Sequence, residues 1–172
     1  DLVRRGMTAP ALAIGDGALG FWAALRDTDG FRSTREQRCW VHKIRNVVDC
    51  FPKRLQGVAK SRLHEIMKSP TLSDAVIARK RFAKEFHEKY PKAVEKVEKD
   101  WKELTAFFSL PAVHWAHIRT TNAIESTFAT VRLRTNVTKG AGSPLAASMM
   151  ASGEALAKRP MFSAMEIGRA HV

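Results

Sequence analysis

Residues 11–14 form a short apolar run (ALAI), opened by Pro10 and closed by Gly15-Asp16-Gly17. A run this short between turn residues predicts a buried strand. Leu19, Phe21, Trp22 and Leu25 then recur at helical spacing, ending near Asp29-Gly30, and residues 37–42 (QRCWVH) predict a second strand. Strand, short helix, strand is a βαβ crossover, which makes the two strands parallel neighbours. From Lys43 the period changes. Leu55, Val58, Ala59, Leu63, Ile66 and Met67 follow helical spacing, as do Leu72, Ala75, Val76, Phe82, Phe86 and Tyr90, then Val94, Val97, Trp101, Leu104 and Phe108. Pro52, Pro70, Pro91 and Pro111 fall where these helices start or stop. Residues 43–118 therefore read as an all-helical block without strand signal, and residues 120–134 as one further amphipathic helix. Past Gly140-Ala141-Gly142 the pattern decays into an Ala- and Met-rich stretch, and no internal repeat is seen.

Composition narrows the class. The chain has 172 residues, 45% of them hydrophobic, enough for one compact domain or for one domain with a helical insertion. Lys and Arg number 29 against 17 Asp and Glu, a net charge of +12, and the pI is near 10.2. Such an excess implies a polyanionic partner, usually nucleic acid, with a merely basic surface or a ribosome-associated protein as the alternatives. Two cysteines, Cys39 and Cys50, in a chain with no signal peptide speak against a disulfide framework and for a reducing cytoplasm. No apolar run approaches the roughly 20 residues that span a bilayer. The chain begins at Asp1 in what reads as the tail of a helix. Residues 166–172 (EIGRAHV) match the translation of a widely used sequencing adapter, so they are expected to be an assembly artefact outside the fold.

Candidate chemistry lies in four places. Asp16 stands between two glycines directly after a predicted strand. The C-terminal ends of parallel strands are where α/β sheets place ligands, and glycines let a metal or phosphate approach the backbone; an ordinary turn explains the tripeptide as well. Glu125 lies in residues 120–128 (TTNAIESTF), where Asn122 as N-cap and Glu125 three residues on make a capping box. A carboxylate in a first helical turn serves equally as a metal ligand, and spacing does not separate the roles. Cys39 and His42, with His114 and His117, have zinc-like gaps, but the pairs are far apart in sequence and Cys50 is off pattern, so zinc is not expected. Arg119, Arg132, Arg134 and Lys139 cluster around the Glu125 segment, as a DNA backbone would require or as a solvated helix face would show.

Together, residues 14–25 (IGDGALGFWAAL), 35–47 (REQRCWVHKIRNV), 89–93 (KYPKA) and 114–135 (HWAHIRTTNAIESTFATVRLRT) resemble the bacterial Mutator-type insertion-sequence transposases. The resemblance is collinear from the N-terminus to about Gly142. It implies a ribonuclease-H-like catalytic domain with an Asp-Asp-Glu triad, so the expected fold class is α/β, mostly helical, with a partial ribonuclease-H-like domain interrupted by an all-α insertion. Residues 1–42 would be the partial core, 43–118 the insertion, 119–142 the return helix and 143–172 a divergent tail. Asp16 matches the second Asp of the triad, Glu125 its Glu, and Cys39 and His42 the Cys/Asp-x-x-His signature. No Asp here matches the first, which belongs to an upstream strand.

The chemistry implied is two-metal phosphoryl transfer on DNA, with two Mg²⁺ ions held by carboxylates about 3.5–4 Å apart. Asp16 and Glu125 would be ligands, and Arg119, Arg132, Arg134 and Lys139 would orient DNA. The intact parent would bind transposon ends and target DNA as a homo-oligomer in the bacterial cytoplasm, associated with the nucleoid and no membrane. This chain alone is expected to be inactive for want of the first Asp. The alternatives are a non-catalytic basic helical DNA-binding module and another ribonuclease-H-like nuclease such as a junction resolvase.

Overall fold

The computed structural model describes residues 3–17 and 19–121, and positions 129, 132 and 133 beyond them. The chain divides into two units, Asp1–Thr120 and Thr121–Val172. The first opens with strand β1 (Leu12–Gly15), helix α1 (Leu19–Asp27) and strand β2 (Arg35–Arg38). The two strands pair in parallel, from Leu12 opposite Arg35 to Gly15 opposite Arg38. This is the predicted crossover, with β1 one residue later than the apolar run.

The second strand is a correction. Residues 37–42 were expected to be extended, but β2 ends at Arg38, and Trp40–Val48 form helix α2. Trp40, Lys43, Ile44 and Val47 are buried together, the stripe of a helix. The continuous apolar group Cys39-Trp40-Val41 is compatible with either period over so short a run. The actual strand is the polar REQR, where Gln37 alone is fully buried.

Helices α3 (Lys53–Met67), α4 (Leu72–Phe86), α5 (Pro91–Lys99) and the short α6 (Trp101–Leu104) follow. Two 3₁₀ turns, Ala106–Ser109 and Ala112–His114, lead into α7 (Trp115–Ile118). Pro52 is the N-cap of α3 and Pro91 sits in the first turn of α5, where a missing N–H is tolerated. Thr71 caps α4 by accepting the Asp74 amide at 3.1 Å. The main core lies among these helices. Leu63 and Ile66 of α3, Phe82 and Phe86 of α4, and Val94 and Val97 of α5 are buried in one cluster with Phe51. The Phe51 and Phe86 rings meet edge to face with centroids 5.0 Å apart.

The described residues are thus mostly helical, with one small two-stranded sheet. Of the helix expected over 120–134, Thr120 and Thr121 are not helical, Ala129, Arg132 and Leu133 are, and the other positions lie outside the described residues.

Candidate functional site

Asp16 follows β1 directly and is exposed at the C-terminal end of the parallel pair. Both flanking glycines are required by their neighbours. A Cβ on Gly15 would come within 2.8 Å of the Trp22 ring of α1, so the helix packs down on the strand end only because no side chain intervenes. Gly17 has φ 96°, and a Cβ there would overlap the Arg38 guanidinium. The Gly-Asp-Gly turn is therefore closed in by Trp22 at Gly15 and by Arg38 at Gly17.

The N-terminus of α2 joins distant parts of the chain. The Cys39 amide donates to the Gly15 carbonyl at 2.7 Å, and the next amide, that of Trp40, donates to the Arg119 carbonyl at 3.0 Å. Arg119 in turn donates from Nη1 to the Met67 carbonyl at 3.1 Å. The Trp40 indole donates from Nε1 to the Leu104 carbonyl at 2.9 Å. Gln37 completes the junction: Nε2 donates to the carbonyls of Arg38 at 2.8 Å and Leu104 at 3.3 Å, and Oε1 accepts the Phe107 amide at 2.8 Å. Cys39, within the proposed signature, is fully buried as the N-cap residue of α2, and His42 is half-buried one turn along.

Charge at this junction is concentrated on Asp100, at the end of α5. Its Oδ2 accepts Lys43 Nζ at 2.7 Å and pairs with Arg38 Nε at 3.0 Å. The side chains of Lys43, Arg38 and Asp100 are only 5%, 19% and 19% exposed. Burial pushes the Lys43 ammonium below its ordinary value; Asp100 opposes that shift, while Arg38 and Lys96 add to it.

Gln37, Arg38, Lys43 and Asp100 were not singled out from the sequence. The available signal was a strand made almost wholly of polar residues, which is hard to bury without specific partners.

Among the described residues, no group of three or more His, Cys, Asp or Glu is placed to hold a metal ion. Cys39, His42, His114 and His117 do not form such a set. Glu125, Arg134 and Lys139 lie outside the described residues, and Arg132 is exposed. A broad cleft lined by Arg32, Arg35, Lys102, Phe108 and Trp115 opens where the strands begin. Arg35 pairs with Leu12 there, at the opposite end of the ladder from Asp16.

Residues 1–149 match the family model described as "Transposase, Mutator family". This chain belongs to the Mutator family of transposases. It is 55% identical over 151 residues to the transposase for insertion sequence element IS6120 of Mycolicibacterium smegmatis, covering 88% of this chain and 46% of that protein. It is 56% identical over 140 residues to the transposase for insertion sequence element IST2 of Acidithiobacillus ferrooxidans, covering 81% of this chain and 47% of that one. A more distant relative, the transposase for IS1081 of Mycobacterium tuberculosis, is 30% identical over 137 residues, 80% of this chain and 32% of its own. The chain spans about half the length of the first two curated relatives. The matched region takes in Asp16, the α2 junction and Glu125. No helix among the described residues is long and apolar enough to cross a membrane.

Proposed function

We propose that this chain is the C-terminal part of an Asp-Asp-Glu transposase whose parent cleaves DNA at the ends of an insertion element and joins those ends to a target. The observation that carries the reading is the position of Asp16 at the C-terminal end of a parallel strand, in a chain whose residues 1–149 match the Mutator family. The reading takes the βαβ unit as part of a ribonuclease-H-like core and residues 43–118 as its helical insertion.

Asp16 and Glu125 would each present carboxylate oxygens, hard donors suited to Mg²⁺. A bound pair of Mg²⁺ ions would supply activation of the attacking oxygen and stabilisation of the leaving one. The chain's own part is to fix the ligands. Trp22 and Arg38 hold the Asp16 turn, and the Cys39 and Trp40 amides tie that turn to Arg119, six positions before Glu125. Arg119, Arg132, Arg134 and Lys139 would face the DNA backbone, and the parent would act on DNA in the bacterial cytoplasm as a homo-oligomer. These 172 residues supply two of the three carboxylates that the reading needs. By themselves they neither nick nor join DNA.

The test is metal mapping on the purified chain. With Fe²⁺ replacing Mg²⁺, ascorbate and peroxide cut the polypeptide beside the bound ion. Cleavage near residues 16 and 125, lost together in Asp16→Asn or in Glu125→Gln, supports a shared site. Cleavage elsewhere, or cleavage indifferent to both substitutions, leaves the basic helical DNA-binding module as the reading. Metal-dependent nicking by the unmodified chain would refute its inactivity.

A further inference from the structure

We infer that Arg38 is a phosphate-contacting residue of the Asp16 site, held in place by Asp100 of the helical block. This rests on the reading of Asp16 as a metal ligand.

Three observations support it. Arg38 stands opposite Gly15 in the ladder, one residue before Asp16. Its guanidinium lies against Gly17, in the space a side chain there would fill, so the charge sits at the residue after Asp16. Finally, Arg38 Nε forms an ion pair with Asp100 Oδ2 at 3.0 Å, without the alignment of a hydrogen bond. Nη1, Cζ and Nη2 all lie in the space that a Gly17 side chain would take, Nη1 nearest. A guanidinium drawn to Asp100 by charge, with its Nη groups at the Gly17 turn, offers the planar fork that suits the two parallel contacts a phosphate accepts.

The charge count points the same way. Among the described pairs, two cations, Arg38 and Lys43, meet the one carboxylate of Asp100, and all three side chains are largely shielded from water. A net positive charge in such a place is costly unless an anion comes to it. In the proposed site Asp16 is committed to a cation. The remaining anion that the reaction brings is the phosphodiester, so Asp100 is a positioning residue and Arg38 the contact.

The experiment is binding of a short duplex DNA to this chain by fluorescence anisotropy, between 50 and 200 mM salt, in Ca²⁺, for wild type, Arg38→Gln, Arg38→Lys and Asp100→Asn. One lost phosphate contact lowers the slope of log affinity against log salt by about 0.9, which over this range is roughly a threefold smaller fall in affinity. Arg38→Gln is expected to show that smaller slope. Arg38→Lys keeps the charge, so its slope stays at the wild-type value while it binds several-fold more weakly. Asp100→Asn removes a carboxylate but leaves Arg38 in place, so weaker binding there supports the positioning role of Asp100 and tighter binding overturns it. A wild-type slope in Arg38→Gln overturns the inference. So does wild-type affinity in Arg38→Lys, which decides the matter if the glutamine variant does not give a cooperative melt. Should Fe²⁺ mapping succeed while Arg38→Gln binds normally, the metal site stands and this inference fails. In the converse result, Arg38 remains a DNA contact and the metal reading fails.

Discussion

The backbone of Trp40 is hydrogen-bonded to the backbone of Arg119 across 79 positions of chain, N to O at 3.0 Å. The preceding amide, Cys39, is bonded to Gly15 at 2.7 Å. Two consecutive N–H groups at one helix N-terminus thus hold the residue before Asp16 and the segment that leads towards Glu125. These amides have no partner within the first turn of their own helix. Here the partners come from distant chain, which makes the start of α2 a fastening point.

Gln37 should be essential to that fastening. Its amide group serves the carbonyls of Arg38 and Leu104 and the amide of Phe107, all at or near the core. Gln37→Leu fills the same space and leaves the Phe107 N–H buried without its acceptor. The expected loss is about 1–3 kcal/mol, read as a shift in the urea midpoint. A change under about 0.5 kcal/mol, the range of an ordinary surface substitution, would show that the junction does not depend on this side chain.

Gly17→Ala should destabilise the chain through two separable effects. An L-residue at φ 96° is strained by roughly 1–3 kcal/mol, and the added methyl meets the Arg38 guanidinium. Combining Gly17→Ala with Arg38→Ala removes the collision and leaves the strain. The double variant is therefore expected to be more stable than the sum of the two single changes implies. Strict additivity in thermal melts would mean that the guanidinium yields freely.

His64, on α3, should make stability fall at acid pH. Its imidazole is held below the ordinary value of 6.5, first by burial and then by the charges of Lys68 and Lys60. Because the folded value is the lower one, the unfolded chain binds the proton more readily as pH drops below 6.5. The contribution is complete above pH 6.5 and is lost as pH falls through the depressed folded value. His64→Gln should lose less stability than wild type over that interval. Parallel melting curves against pH for the two proteins would contradict this.

Much of the chain was readable from local pattern. The apolar run before Gly15-Asp16-Gly17 is a strand within one residue of its expected place, and α1 ends at Asp27, near the expected Asp29-Gly30. Pro52 and Pro91 sit at helix starts because their fixed φ and missing N–H suit those positions. The error at residues 37–42 has the same origin as these successes. Cys39, Trp40 and Val41 are apolar in succession, and only the later burial of Ile44 and Val47 identifies the period as helical.

The sequence by itself determined the parallel crossover, the helical block and the family, because each is written in spacings and motifs between nearby residues. Only the tertiary structure decided why Arg38, Lys43 and Asp100 belong together, and why Cys39 and Trp40 stand where they do. Asp100 is 57 positions from Lys43, and Arg119 is 79 from Trp40. Hydrogen bonds and ion pairs leave no periodic trace in the chain; they exist because the folded core brings their partners within reach.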